Sequence, residues 1–145
     1  YPIAQPQETI SFADPRYKEY TCDNPNDATY KTPNYYVLQG ERVNTTNFAE
    51  MLRSIIARLY EQDKTIIETM ARNNEHLLNW SQNVMFSYDV EKISGDYKLS
   101  DTGIYESTGF SAAHIMWIIQ ALLDRYDIDR SDFVYNARSN KKTEE

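Results

Sequence analysis

The chain contains few of the residues on which several common chemistries depend. Its 145 residues include one cysteine, two histidines and four glycines. The single cysteine, Cys22, cannot form a disulfide within the chain, which fits a reducing compartment. Structural zinc sites need closely spaced Cys and His pairs, and Cys22, His76 and His114 are far apart in the sequence. No two glycines form a phosphate-binding pattern, so the sequence predicts neither a metal site nor a cofactor.

An excess of positive charge and a long hydrophobic run are also missing. The net charge is −7, which argues against a protein whose main task is to hold the nucleic-acid backbone, because phosphate contacts dominate that affinity. The longest apolar run, 115–123, is interrupted by Gln120 and is shorter than the roughly 20 residues of a membrane span. We therefore expect a cytoplasmic protein without a membrane partner. Because the chain begins with Tyr1 rather than methionine, we expect a piece of a longer protein or a processed chain.

Proline is confined to one end of the chain. All five prolines lie within residues 1–33, and proline removes a backbone donor and restricts φ. The sequence therefore predicts an irregular Pro- and Tyr-rich arm over 1–33, with one short strand at 9–12. A single globular domain is predicted over 34–138, followed by a disordered charged tail over 139–145.

The first part of the predicted domain carries hairpin and helix signals. Residues 35–43 are typical of a β-hairpin with Gly40 in its turn. Apolar residues then recur at three- and four-residue spacing over 48–60, which predicts an amphipathic helix. Asn47 precedes this helix and Glu50 follows three residues later, a pattern that resembles a capping box.

The second part of the domain alternates short segments with one long helix. Asp63 is expected to cap a second helix, and Leu77 to Trp80 suggest a third short one. Later strands are predicted at 84–88, 97–99, 104–105 and 133–135, and a long helix is predicted at 112–126. We expect the first two strands of this set to pair and the last to be an edge strand. The whole pattern predicts an α+β fold, in which a small antiparallel sheet packs against two longer amphipathic helices and one or two short ones.

One enzymatic alternative rests on three charged residues. Metal-dependent nucleases place an acid on one strand and an acid-x-Lys triplet on the next, around a divalent cation that activates water. Asp96 and Lys98 form such a triplet, and Asp89 precedes it. The competing interpretation is that Gly95 and Asp96 simply form a turn.

A second alternative is nucleic-acid recognition by the helix that begins at Ala112. A recognition helix directs polar or basic side chains at base edges, and this helix offers His114, Gln120 and Arg125. Most of its remaining residues are apolar, which favours a core helix instead.

Aromatic residues suggest a surface that contacts another protein. Met116 and Trp117 flank the core stripe of the 112–126 helix, and whichever of them is exposed would mark a contact surface. The residues predicted to bind a partner are Tyr17, Tyr20, Tyr30, Tyr105 and Trp117.

The layout from Tyr36 to Tyr135 also resembles a known kind of module. The residues that carry the resemblance are Leu38-x-Gly40, 59–63 (Leu-Tyr-Glu-Gln-Asp), 103–106 (Gly-Ile-Tyr-Glu), 110–112 (Phe-Ser-Ala) and 127–133 (Asp-Ile-Asp-Arg-Ser-Asp-Phe). Together they are similar to an uncharacterised module at the carboxy end of some bacterial restriction- and defence-associated proteins. The chain departs from that pattern at 46–48, where the module often has a tryptophan. The resemblance implies an accessory part of a larger chain, without a catalytic motif of its own.

These observations favour a non-catalytic accessory or interaction domain of a bacterial cytoplasmic protein, associated with restriction or defence. Its partner would be another protein or another domain of the same parent chain. Nucleic-acid binding and a metal-dependent nuclease stay open as alternatives.

Overall fold

The computed structural model describes residues 16–93 and 97–140, and within these ranges the chain adopts the predicted α+β class. The predicted strand at 9–12 lies outside the described residues. The described helices are α1 (Phe48–Gln62), α2 (Lys64–Asn73) and α3 (Ala112–Arg125). The strands are β1 (Tyr17–Tyr20), β2 (Lys31–Leu38), β3 (Glu41–Asn44), β4 (Phe86–Ser87), β5 (Tyr97–Lys98), β6 (Tyr105–Glu106) and β7 (Phe133–Ser139). The described strands form two small antiparallel sheets, where the sequence predicted one.

Strand β7 lies inside the larger sheet, whose strand order is β1-β7-β2-β3. Tyr135 pairs with Tyr20 of β1 on one side and with Tyr36 of β2 on the other. The prediction of an edge strand at 133–135 was therefore wrong. The strand gains a second neighbour because residues 17–20, which were expected to belong to an irregular arm, form β1 and pair along its other edge.

The predicted irregular arm is wrong for residues 17–33, because these residues supply β1 and the beginning of β2. The prolines occupy places that tolerate them. Pro25 begins a 3₁₀ turn (Pro25–Ala28), where an amide donor is not needed. Pro33 lies at a register shift in which Asn34 is left out of the β2–β7 pairing, and such bulges accommodate proline. At the other end, Ser139 pairs with Lys31, so the predicted tail does not begin at residue 139, and 141–145 lie outside the described residues.

The predicted hairpin and its turn are confirmed. Strands β2 and β3 pair from Leu38 and Glu41 outward. The two turn residues, Gln39 and Gly40, have φ values of 52° and 83°. Two successive positive φ values characterise the two-residue turn that matches the twist of antiparallel strands.

The predicted cap of α1 is also confirmed, with one change of partner. The Asn47 side chain accepts a hydrogen bond from the Glu50 amide at 2.8 Å. Glu50 Oε1 in turn accepts from the amide of Thr46 at 2.7 Å, one residue before the position usual in a capping box. This bond lowers the pKa of Glu50 below its ordinary value.

Helices α1 and α3 form the core with the larger sheet. The ring of Phe48 meets the ring of Tyr135 edge-on, with centroids 5.7 Å apart. The hydroxyl of Tyr36 lies 2.6 Å from Ser54 Oγ, which ties β2 to α1. The fully buried α3 residues are Ile115, Met116, Ile118, Ile119, Leu122 and Leu123.

The smaller sheet has the order β4-β6-β5. The predicted pairing of the 84–88 and 97–99 segments is wrong, because both segments pair with β6. The predicted third short helix at Leu77 to Trp80 is also wrong. That segment is a loop whose Ser81 amide donates to the carbonyl of Leu78. Among the helices that the structure describes, none is long and apolar enough to cross a membrane.

The central position of β7 predicts its hydrogen-exchange pattern. Amides of a central strand all donate within the sheet, whereas alternate amides of an edge strand face solvent. We therefore expect slow exchange at every consecutive amide from Tyr135 to Arg138, measured by NMR-detected exchange. Fast exchange at alternate residues of this run would show that β1 does not pair with β7.

Candidate functional site: a tryptophan-lined groove

Helix α3 presents a second face to solvent, opposite its core face. Its first turn is capped by Ser111, whose Oγ accepts from the His114 amide at 3.3 Å. The core stripe then directs Met116 inward, where it is fully buried. Trp117 is rotated outward, with 42% of its surface exposed. Of the two residues that flank the stripe, Trp117 is therefore the one available for contact.

The loop after α2 brings the second tryptophan of the chain to the same place. Helix α2 ends at Asn74 in the left-handed conformation, with φ of 50°, which turns the chain out of the helix. Leu77 and Leu78 are buried and anchor the loop. Trp80 projects from it, with 57% of its surface exposed.

The two tryptophans belong to one ordered aromatic cluster. Their ring centroids are 6.2 Å apart and their planes meet at 79°, the edge-to-face arrangement that aromatic quadrupoles favour. Trp80 also lies 5.4 Å from the ring of His114. His114 stacks on Phe110 with centroids 4.5 Å apart. Because each ring is held by a neighbour, the surface is formed before any partner binds.

Between the loop and α3 runs a groove of about 410 Å³. We call it the tryptophan groove, and its lining comprises 77–80, Trp117, Gln120, Ala121, Asp124 and Arg130. One wall is the loop and the other is α3. Arg130 makes two hydrogen bonds to the Asp124 carboxylate, at 3.1 and 2.7 Å. This planar pairing of a guanidinium with a carboxylate holds both side chains in place.

The floor of the groove is tied to the start of the chain. Gln120 is buried and its Nε2 donates to the carbonyl of Cys22, which follows β1. Cys22 is itself fully buried, and burial raises the pKa of its thiol to about 11. Since the thiolate is the reactive form, this cysteine is inert at neutral pH.

The three side chains predicted to recognise nucleic acid make contacts within the chain. Gln120 is part of the buried floor. Arg125 pairs with Glu75 at 2.8 Å. Burial lowers the pKa of His114 below its ordinary value, which favours the uncharged imidazole. Of the three side chains, Gln120 lines the tryptophan groove, and His114 and Arg125 do not.

The five predicted partner-binding residues do not form one surface. Tyr17 and Tyr20 belong to β1, and Tyr20 stacks on Tyr135 with centroids 5.5 Å apart. Tyr30 is exposed and lines a separate depression. Tyr105 lies in β6 of the smaller sheet. Trp117 alone among the five lines the groove.

Trp80 was not among the predicted site residues, because its segment was interpreted as a helix with a core face. One signal was present in the sequence. Trp80 is followed by the polar residues 81–83. A helix through this segment would therefore have no further apolar residues for a buried face.

The residues predicted for a nuclease have structural partners. Asp89 caps the 3₁₀ turn Val90–Lys92 by accepting from the Glu91 amide at 3.0 Å. The Lys98 ammonium lies 6.0 Å from the ring of Tyr105. Asp96 lies outside the described residues, so the full set stays a prediction. Within 16–93 and 97–140, no group of three His, Cys, Asp or Glu side chains is arranged to hold a metal ion.

Glu106 is a buried carboxyl that the sequence did not single out. It is only 3% exposed, and its Oε1 has no hydrogen-bond partner. Burial raises the pKa of Glu106 to about 7, against an opposing effect of the Arg53 guanidinium. Arg53 itself donates to Thr108 at 3.2 Å and stacks on Tyr97. Glu106 is thus a polar group held inside the smaller sheet.

The raised pKa of Glu106 predicts that the protein is less stable at higher pH. The folded form retains a proton that the unfolded chain releases above its ordinary pKa of 4.5. The stability from the neutral carboxyl is fully present below that pH and is lost as the pH rises through about 7. We expect this loss to reach about 3 kcal/mol in the free energy of unfolding.

Denaturant titrations of the parent and Glu106→Gln between pH 4 and pH 8 measure this loss. Because both proteins share every other titrating group, the difference between the two stability curves isolates Glu106. The exposed substitution Glu61→Gln serves as the control and should follow the parent curve. Parallel curves for parent and Glu106→Gln would contradict the prediction.

Removing either groove tryptophan should leave the fold nearly unchanged. Trp80 and Trp117 are about half exposed, so we expect Trp80→Ala and Trp117→Ala each to cost about 1 kcal/mol of unfolding free energy or less. The buried neighbour substitution Ile118→Ala should cost about 2–5 kcal/mol. Thermal and denaturant unfolding measure both. A cost for the tryptophan variants equal to that of Ile118→Ala would assign these side chains to the core.

No protein-family model, no curated protein and no solved structure matches the chain. The resemblance to a restriction- and defence-associated module therefore stays a prediction.

Proposed function

We propose that this chain is a non-catalytic interaction domain that binds a segment of another protein, or of another domain of its parent chain, in the tryptophan groove. The observation that carries the proposal is that both tryptophans of the chain lie exposed on one groove, at 57% and 42% of their surface. Covering the rest of such a side chain is among the most favourable contacts that a protein surface offers.

The form of the groove supports binding rather than chemistry. Its rings are held edge-to-face before any contact is made, and a preformed surface loses little conformational entropy on binding. Its charged residues, Asp124 and Arg130, are bonded to each other. Neither is thereby positioned as a lone acid or base. Interfaces commonly have this composition, with aromatic anchors at the centre and paired polar groups at the rim.

The two alternatives have less support. Recognition of nucleic acid by α3 would use Gln120 and Arg125, which are engaged with Cys22 and Glu75. The nuclease alternative would use Asp89, whose carboxylate caps a turn. A bacterial, cytoplasmic parent protein associated with restriction or defence remains part of the proposal and rests on the sequence resemblance alone.

Site-directed photocrosslinking tests the proposal. The full chain with the photoreactive residue p-benzoylphenylalanine in place of Trp117 is irradiated in an extract of its native host. Crosslinked proteins are identified by mass spectrometry. The control carries the same residue in place of Tyr88, which is exposed but does not line the groove. A protein crosslinked at 117 and not at 88 is then purified and titrated directly.

We expect Trp80→Ala to raise the dissociation constant of that purified complex about 30-fold, the effect of losing an interface anchor of about 2 kcal/mol. Tyr88→Ala should change it less than about twofold. Equal crosslinking at both positions, or unchanged affinity in a protein lacking both tryptophans, would contradict the proposal.

A further inference from the structure

We propose that the partner segment in the tryptophan groove is basic, and that it places an arginine or lysine side chain against the tryptophan rings at the Asp124 end. This inference rests on the proposed function and adds the chemistry of the partner. It follows from two independent features, the exposed surface of the tryptophan rings and the charge around one end of the groove.

The first feature concerns how this chain uses its aromatic rings. In the described ranges, five rings have a Lys or Arg positioned over them, and all five are tyrosines. Examples are Arg42 over Tyr35 at 3.8 Å and Arg53 over Tyr97 at 4.4 Å. Tryptophan is the strongest acceptor for a cation. Within the same ranges, no cation of the chain lies over Trp80 or Trp117. Each tryptophan packs against a neighbouring ring but keeps about half of its surface exposed, and this exposed surface is accessible to a cation from outside.

The second feature is the charge beside the groove. Residues 124–132 contain four aspartates and two arginines. Both arginines are already paired, Arg130 with Asp124 and Arg125 with Glu75. Asp127 and Asp132 are exposed, and no arginine or lysine of the described chain forms an ion pair with either. Asp127 and Asp132 do not line the groove, but they flank its lining residues Asp124 and Arg130 along the chain, and the Asp127 amide donates to the Asp124 carbonyl at 3.1 Å. The segment beside this end of the groove therefore carries an excess of negative charge.

The backbone of α3 adds to the negative electrostatic potential at this end of the groove. Asp124 lies in the last turn of α3, where the carbonyl end of the helix carries a partial negative charge. Asp23 follows Cys22 at the floor, close enough that its charge raises the pKa of the Cys22 thiol. At a net charge of −7, the whole chain also attracts basic partners over longer distances and repels acidic ones.

The exposed tryptophan surface and the negative charge together favour one class of partner. A purely apolar segment would leave the aspartates uncompensated, and an acidic segment would be repelled. An arginine or lysine satisfies both features, because its stem can cover a tryptophan face while its charge points toward the carboxylates.

Intrinsic fluorescence gives a direct test, since the two tryptophans of the chain both line the groove. The full chain is titrated with a capped twelve-residue peptide of alternating arginine and glycine. Matched peptides replace arginine by glutamine, by glutamate or by proline. We expect the arginine peptide to shift the tryptophan emission and to bind about tenfold more tightly than the glutamine peptide. The affinity of the arginine peptide should fall as salt is raised.

Charge variants separate the groove end from the overall charge. Asp127→Asn with Asp132→Asn removes two charges beside the groove, and asparagine also suits the positive φ of 57° at residue 127. The matched control, Glu61→Gln with Glu91→Gln, removes two exposed charges elsewhere. We expect the first pair to weaken binding about three- to fivefold and the control pair to weaken it less than about 1.5-fold.

Ring variants test the contact with the tryptophans. Trp117→Ala and Trp80→Ala should each weaken binding of the arginine peptide about tenfold, and Trp117→Phe should weaken it less. Trp80→Phe leaves Trp117 as the single reporter and identifies which ring the peptide covers.

Several results would overturn the inference. Equal loss of affinity in both charge pairs would show that only the net charge matters. Preferred binding of the glutamine or proline peptide, still dependent on the tryptophans, would overturn the basic partner and leave the proposed function standing. No fluorescence change with any peptide would also overturn the inference. The proposed function fails separately, if the partner found by crosslinking binds a protein that lacks both tryptophans.

Discussion

Burial of one face of helix α3 is the constraint on which the rest of the structure depends. Six apolar residues of this helix are inaccessible to solvent, and Gln120 on the same helix donates to the carbonyl of Cys22, 98 residues earlier. The buried apolar face sets the rotation of α3, and the Gln120 bond holds the segment after β1 against the helix. Once the rotation is set, Trp117 faces outward, and the loop at Trp80 has a wall to lie against. The groove is a consequence of how the core is closed.

The molecule combines regular, locally capped elements with an aromatic surface that is left partly in water. Asn47 caps α1, Gln39 and Gly40 form the hairpin turn, and β7 pairs with a strand on each side. Trp80 and Trp117 instead leave about half of their surface in water, although burying it would be favourable. Proteins seldom keep large exposed aromatic rings together without a use for them, and the ordered edge-to-face geometry here gives a partner a ready contact.

Local sequence signals predicted much of the fold, but they did not predict the features that depend on contacts with distant segments of the chain. Asn47 and Asp63 were predicted as helix caps and act as caps, because a cap depends on a few neighbouring residues. The neighbours of β7 were not predicted, because Tyr135 pairs with Tyr20, more than a hundred residues away. Of the groove-lining residues, Trp117 was predicted to bind a partner, and Gln120 was predicted as a site residue in a different role, the recognition of nucleic acid. Trp80 was assigned to a helix, and nothing in the chain near it shows that it meets Trp117.

The sequence by itself determined the α+β class, the positions of α1, α2 and α3, the hairpin turn at Gly40 and the shortage of residues for common metal and nucleophile chemistry. Each of these follows from spacing, capping or composition over short distances along the chain. Only the tertiary structure decided that residues 17–20 and 31–33 of the proline-rich segment join the sheet, that Gln120 is buried against Cys22, and that two tryptophans share one groove. The physical reason is that strand pairing and exposure depend on which distant segment packs against a residue, and local sequence does not record that choice.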